Sequence, residues 1–247
     1  MDNILLEAPV FTIEAALKAA EFGVDRIELC SDFGEGGETP SVGALAYLKG
    51  RIDIPIFVMI RPRGGDFVYT SDEIEVMKKD IQILGSYGAD GFVFGVLTAD
   101  GEVDKNRCKE LMKEANGKPC TFHRAFDISK DPKKSLETII DCGFDRLLTS
   151  GTRNTLSEGL SVVKELLQLA QDRIIIMPGG GLEPRHIESL KKSEFLKEVH
   201  GSCKVFRPTE SKFISEQVQL SKDPNAFKSV LSISKEIVGE FNSELKS

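Results

Sequence analysis

Short apolar runs recur along the chain, each followed by a turn of Gly, Ser, Thr or Asp and then by an amphipathic stretch of helical period. The runs predict strands at 4–8, 26–30, 55–60, 91–96, 120–124, 146–150, 173–177 and 198–202. Helices are expected between them. One spans 12–22 on a Thr12 cap, one spans 71–87 on a Ser71 cap with acidic residues in its first turn, and one spans 131–142 with Pro132 at its start. Gly23-Val24-Asp25, Gly88-Ala89-Asp90 and Gly143-Phe144-Asp145 each end a helix and lead directly into a strand, because glycine takes the left-handed conformation that stops a helix. Eight such alternations imply a parallel sheet, since parallel neighbours need a crossover helix. A closed, single-domain (β/α)8 barrel over 1–247 fits better than an open doubly wound sheet, for no G-x-G-x-x-G follows the first strand. The stretch 203–222, rich in Ser, Lys and Glu, reads as a loop, and 224–241 as a closing helix.

Composition narrows the partners more than the fold. The 247 residues are 40% hydrophobic and 29% charged, an ordinary globular balance. A formal net charge of −7 argues against nucleic acid, which needs a basic face, while leaving room for a local basic pocket. No run of about 18 apolar residues is present, so no membrane span is expected. Met1-Asp2-Asn3 lacks the basic start of a signal peptide, and the expectation is a cytoplasmic protein. The five cysteines are odd in number and form no C-x-x-C pair, which predicts reduced core residues rather than a disulfide framework or zinc knuckle.

In such a barrel the chemistry sits at the C-terminal ends of the strands. Glu7, Glu28, Cys30, Arg61, Arg63, His123, Arg124, Thr149, Ser150, His200, Ser202 and Cys203 fall there, including two of only three histidines. Alternation places Glu28 with Cys30, Met59 with Arg61, and Glu198 with His200 and Ser202 on common faces. Glu7, Glu28, His123 and His200 are the expected acid/base groups, or a mixed carboxylate–imidazole set for a divalent ion such as Zn or Mn. Arg61, Arg63, Arg124, Ser150 and the turn Gly179, Gly180 and Gly181 after the seventh strand are the expected anion site. The structural alternative is that Glu7 and Glu28 form buried ion pairs with Arg61 or Arg124. No lysine stands at a strand end except Lys204, just past the last, which disfavours Schiff-base chemistry. Neither G-x-S-x-G nor H-E-x-x-H occurs. His186, after Pro184, is expected at the surface.

These residues resemble the CutC copper homeostasis family. The matching blocks are Val24-Asp25-Arg26-Ile27-Glu28-Leu29-Cys30, Glu35-Gly36-Gly37 with Thr39-Pro40-Ser41, and Val58-Met59-Ile60-Arg61-Pro62-Arg63-Gly64-Gly65-Asp66-Phe67. They continue through Asp90-Gly91 to Gly95, Thr121-Phe122-His123-Arg124-Ala125-Phe126-Asp127 and Leu148-Thr149-Ser150-Gly151. The last are Ile176-Met177-Pro178-Gly179-Gly180-Gly181 and His200-Gly201-Ser202. The resemblance implies a barrel, a cytoplasmic location and a part in copper handling, with Cu(I) on the Cys30 thiolate. Pro9 stands where the family often carries a second cysteine, leaving Cys203, Met59, Met177 or His200 to complete that site. Two functions follow: a copper-binding homeostasis protein, or a barrel enzyme (lyase, isomerase or hydrolase) acting on a small phosphorylated or carboxylated metabolite. A small molecule or metal ion is the expected partner, and a homo-oligomer is compatible with either function.

Overall fold

The three Gly-x-Asp signatures do more than stop helices. In the computed structural model, which describes residues 4–246 apart from 216, 222 and 224, Gly23, Gly88 and Gly143 all have φ near +90°. The apolar residue that follows each is buried, and the aspartate after it accepts a backbone N–H at the start of the preceding strand. Asp25 takes Leu6 N–H at 2.9 Å, Asp90 takes Ile56 N–H at 2.7 Å and Asp145 takes Cys120 N–H at 2.8 Å. Each signature thereby staples one strand–helix unit to the next.

The units run β1 (Leu5–Val10), α1 (Ile13–Phe22), β2 (Arg26–Leu29), α2 (Val42–Lys49), β3 (Ile56–Met59), α3 (Ser71–Ser86), β4 (Gly91–Phe94) and α4 (Lys105–Glu114). They continue β5 (Cys120–Phe122), α5 (Pro132–Cys142), β6 (Arg146–Thr149), α6 (Leu156–Ala170), β7 (Ile175–Pro178), α7 (Ile187–Leu190) and β8 (Glu198–His200). Thr12, Thr70 and Asp131 cap α1, α3 and α5; Ser71, expected as a cap, is the first residue inside its helix. All ladders of the sheet are parallel, in the order β7-β6-β5-β4-β3-β2-β1-β8. β7 lies beside β8 and nearly closes a single (β/α)8 barrel, but no ladder joins these two strands among the described residues.

The main apolar core lies between strands and helices. A smaller cluster of Cys30, Phe57, Met59 and Val93, with Phe11 against it, is separate from that core.

Two expectations fail in the C-terminal region. The stretch 203–222 is not wholly loop, because β9 (Lys204–Pro208) pairs antiparallel with β10 (Ser229–Ile233). The closing helix is α8 (Lys235–Leu245), displaced from 224–241; positions 222 and 224 lie outside the described residues. Glu14 of α1 anchors this hairpin, holding Arg207 at 2.7 Å and accepting from Ser232 Oγ at 3.0 Å. His186, expected at the surface, is 7% exposed and bonds Ser157 Oγ through Nε2 at 2.9 Å.

Candidate functional site

The barrel carries a chain of buried ion pairs. Arg26, at the start of β2, reaches Glu7 at 2.5 Å and also pairs with Glu198 at the start of β8. Arg146, at the start of β6, meets Glu198 at 2.8 Å. Both guanidiniums lie over the ring of Phe57, 4.5 and 5.2 Å from its centroid. Charges removed from water this completely are tolerated only when paired and hydrogen-bonded. Glu7 and Glu198 therefore balance Arg26 and Arg146. The expected pairing of Glu7 and Glu28 with Arg61 or Arg124 is not what forms.

This network orients the groups at the mouth. Glu7 turns its second oxygen to His200 Nδ1 at 2.9 Å, and His200 Nε2 lies 3.7 Å from Glu28 Oε2. Burial alone would raise the Glu7 carboxyl, but Arg26 and His200 outweigh it and hold it at about 2. A charged Glu7 makes His200 Nδ1 the donor and leaves Nε2 facing Glu28. Burial would make His200 less basic, yet its bond to Glu7 and the charges of Glu28 and Glu7 carry its pKa upward. Glu28 has no arginine bonded to it, and burial pushes it up to about 7. Glu28 and His200 thus face each other across one proton near neutrality.

His123 follows β5 and caps the short 3-10 turn Arg124–Ile128. Its Nδ1 accepts from Ala125 N–H at 3.3 Å, which places the proton on Nε2. Burial and the Arg61 charge depress its pKa to about 3, so the ring is neutral. Glu28 Oε1 and His123 Nε2 are both buried without a hydrogen-bond partner among the described residues. Glu28, His123, His200 and Arg61 line one cavity of about 220 Å³. Its remaining walls are largely apolar, from Val10, Phe11, Phe33, Met59, Phe67 and Leu148, with Lys204, Leu231 and Ile233 of the hairpin.

The expected anion ligands separate into three groups. Arg61 lines the cavity with its guanidinium held by the carbonyls of Glu35, Gly37 and Gly65 at 2.6–2.9 Å, and no carboxylate among the described residues pairs with it. Arg63 does not join it, because Glu73 at 2.6 Å and Asp66 at 3.0 Å draw it away from the cavity. Arg124 reaches the rim but is paired with Asp127 at 2.7 Å and bonds Ser150 Oγ at 2.8 Å. Asp127 also accepts from the amides of Ser150 and Thr152 and from Thr149 Oγ1. The turn after β6 is therefore filled by the chain's own carboxylate, and Ser150 has no place for an external anion. In the other turn Gly180 and Gly181 line the cavity, whereas Gly179 packs behind, where a side chain would strike Leu148 and His200.

Sequence reasoning missed Arg26, Arg146 and Asp127. Asp127 lay inside a recognised block, and its place three residues after Arg124 was the available signal. The cavity-wall residues Phe33, Leu231 and Ile233 had none.

The residues named for copper fit poorly. Cys30 lies against Glu28, and burial, reinforced by Glu28 and Glu7, raises its thiol well above the usual range. Met59 shares its cluster, but Cys203 belongs to the other core and Met177 lies under Arg26. Glu7 has both oxygens committed, so the Glu7, Glu28, His123 and His200 set is not arranged around a divalent ion. Among the described residues no group of three or more His, Cys, Asp or Glu side chains is placed to hold a metal.

Fold and site together define a TIM-barrel protein whose mouth cavity gathers Glu28, Arg61, His123 and His200 on otherwise largely apolar walls. The CutC family model matches residues 4–205, and the chain belongs to that family. It is 47% identical over 219 residues to the human copper homeostasis protein cutC homolog, covering 89% of this chain and 80% of that one. It is 42% identical over 204 residues to the family protein CutC of Chromobacterium violaceum, covering 83% of this chain and 82% of the relative. The crystal structure of the copper homeostasis protein CutC from Streptococcus agalactiae superposes with a TM-score of 0.74 at 33% identity, over 81% of this chain and 98% of that one.

Proposed function

We propose that this protein takes part in copper homeostasis from the cytoplasm, the role for which its relatives are named, and that its own activity is exercised on a small anionic molecule in the barrel mouth. No helix among the described residues is long and apolar enough to cross a membrane, which accords with that location. The reading of the mouth rests on one observation: Glu28 Oε1 on β2 and His123 Nε2 just after β5, an acceptor and a donor, are buried on the walls of one cavity and have no partner among the described residues. Buried polar groups left without partners are costly, and a ligand that bonds both removes the cost.

The charges define that ligand. Arg61 supplies a positive charge that no carboxylate cancels, and the neutral His123 supplies an N–H beside it. Negative charge on a ligand oxygen is stabilised there, more strongly as it develops in a transition state. Glu28, poised near neutrality, takes or returns a proton, while His200 holds the alternative position for it and Glu7 orients His200. This suits a lyase, isomerase or hydrolase step on a phosphorylated or carboxylated metabolite.

Millimolar phosphate, sulfate or a phosphorylated metabolite should raise the melting temperature by mass action. Arg61→Ala should abolish most of the shift, and Lys133→Ala on an outer helix should leave it unchanged. An Arg61→Ala protein that responds like its parent would reduce the arginine to a clasp for the backbone carbonyls around it. A Cu(I) site on Cys30 is not supported by its surroundings, so Cys30→Ser should leave Cu(I) affinity unaltered in competition with a chromogenic chelator.

A further inference from the structure

The mouth cavity is lopsided in its chemistry. Its polar end holds Glu28, Arg61, His123 and His200, and most of the remaining wall is hydrocarbon. Phe11 and Phe33 meet edge to face there, with ring centroids 5.2 Å apart, and Met59 and Leu231 add aliphatic surface. Phe67 joins the two ends, its centroid 4.7 Å from that of the His123 ring and 4.9 Å from Arg61 Cζ. Arg61 and His123 thus share one patch of wall.

Among the described residues, Arg61 is the buried cation of that wall without a carboxylate. Arg63 and Arg124 are spent on Glu73, Asp66 and Asp127, and Lys204 is exposed, its ammonium 5.1 Å from the Phe33 ring centroid. The turns that would take a phosphate in such a barrel are occupied by the chain itself. Asp127 accepts the amides of Ser150 and Thr152, and the Arg124 side chain lies against Gly180.

We infer that, with the mouth read as an anion site, its occupant is a monocarboxylate carrying a compact apolar body rather than a phosphorylated or sugar-like metabolite. One carboxylate oxygen takes the N–H of His123 beside the Arg61 charge, and the body lies against Phe11, Phe33 and Leu231. A phosphomonoester would bring a second negative charge towards Glu28 and three oxygens to a wall that is mostly hydrocarbon. Sugar hydroxyls against Phe11 and Phe33 would lose water and gain no partner, which is costly. Size agrees. An apolar cavity of about 150 Å³ holds a benzene ring, and the cavity of about 220 Å³ leaves room for a short acid arm.

The test is a thermal-shift titration of the full chain with acetate, butanoate, hexanoate and 3-phenylpropionate, set against inorganic phosphate and glucose 6-phosphate. Affinity should climb on the order of fourfold per buried methylene, and 3-phenylpropionate should bind at least roughly tenfold more tightly than either phosphate. Arg61→Ala should abolish most of every shift. Phe33 is 40% exposed in the short turn Phe33–Glu35, so Phe33→Ser should fold. It should weaken 3-phenylpropionate by about fivefold or more and leave inorganic phosphate unchanged. A flat alkanoate series, or a phosphate that binds as tightly as 3-phenylpropionate and depends on Arg61, would overturn the carboxylate class and leave the anion site standing. No shift from any of these anions would sink both. A series that climbs equally in Arg61→Ala or Phe33→Ser would put the binding on another surface, such as the exposed Phe213 and Leu220, and would overturn the assignment as well.

Discussion

Glu28 and His200 compete for one buried position of charge, and their surroundings make the competition measurable. Burial in the fold pushes the Glu28 carboxyl up to about 7, against an ordinary value of about 4.5 once the chain is unfolded. A carboxyl raised on folding binds its proton more tightly in the native state, so its contribution is fully present below about 4.5 and is lost as pH rises towards 7. Glu28→Gln removes that loss. The variant should be more stable than the parent at pH 7 by about 2–3 kcal/mol, with the advantage vanishing near pH 4.5. Urea unfolding across that range checks it, and parallel pH profiles would show that His200 alone carries the proton. Much of this arrangement was legible in the sequence. Glu28, His123 and His200 stand at or next to strand ends, while β1 runs on past Glu7 to Val10, and the strand period points Glu7, Glu28 and His200 inward. Their partners were not legible. Arg26 finds Glu7 nineteen residues away and Glu198 two strands over on β8, and nothing local to Arg26 distinguishes those carboxylates from Glu28.

At the scale of elements, capping and stop signals served well because they are local: Thr12, Asp131 and the Gly-x-Asp trio fix their ends by contacts within a few residues or one neighbouring strand. The β9–β10 hairpin went unread because each strand is only five residues long and finds its partner some twenty residues on, so the amphipathic stretch before α8 extended the apparent helix. Gly159 is a sharper case. Helix propensity alone says that alanine inside α6 would stabilise by about 1 kcal/mol. In the fold, a Cβ there would collide with the carbonyl oxygen of Ser150 and with Gly151, in the turn that Asp127 occupies. Gly159→Ala should therefore destabilise the protein by at least about 2 kcal/mol, since neither backbone can yield without moving that turn. Thermal unfolding settles the sign, and a stabilised variant would mean that α6 can shift outward freely.

Across the whole molecule, the ion pairs of the barrel replace part of the layered aliphatic filling usual for this fold. Arg26→Met leaves Glu7 with only His200 and Glu198 with only Arg146. It should cost about 3–5 kcal/mol, the usual penalty for stranding a buried charge. The difference should be nearly the same in low and high salt, because counterions do not reach the site, whereas exposed pairs such as Lys133 with Glu165 are screened. The absence of a ladder between β7 and β8 has a mechanical consequence. Seven strand boundaries cannot widen without breaking backbone hydrogen bonds, while the eighth can part by loosening side chains alone. Breathing of the barrel is thereby channelled to one side, the side that carries His200 and the Gly179, Gly180 and Gly181 turn. Amide exchange in β7 and β8 should outpace that in the strands opposite, and a ligand too bulky for the resting cavity would find its room along that seam.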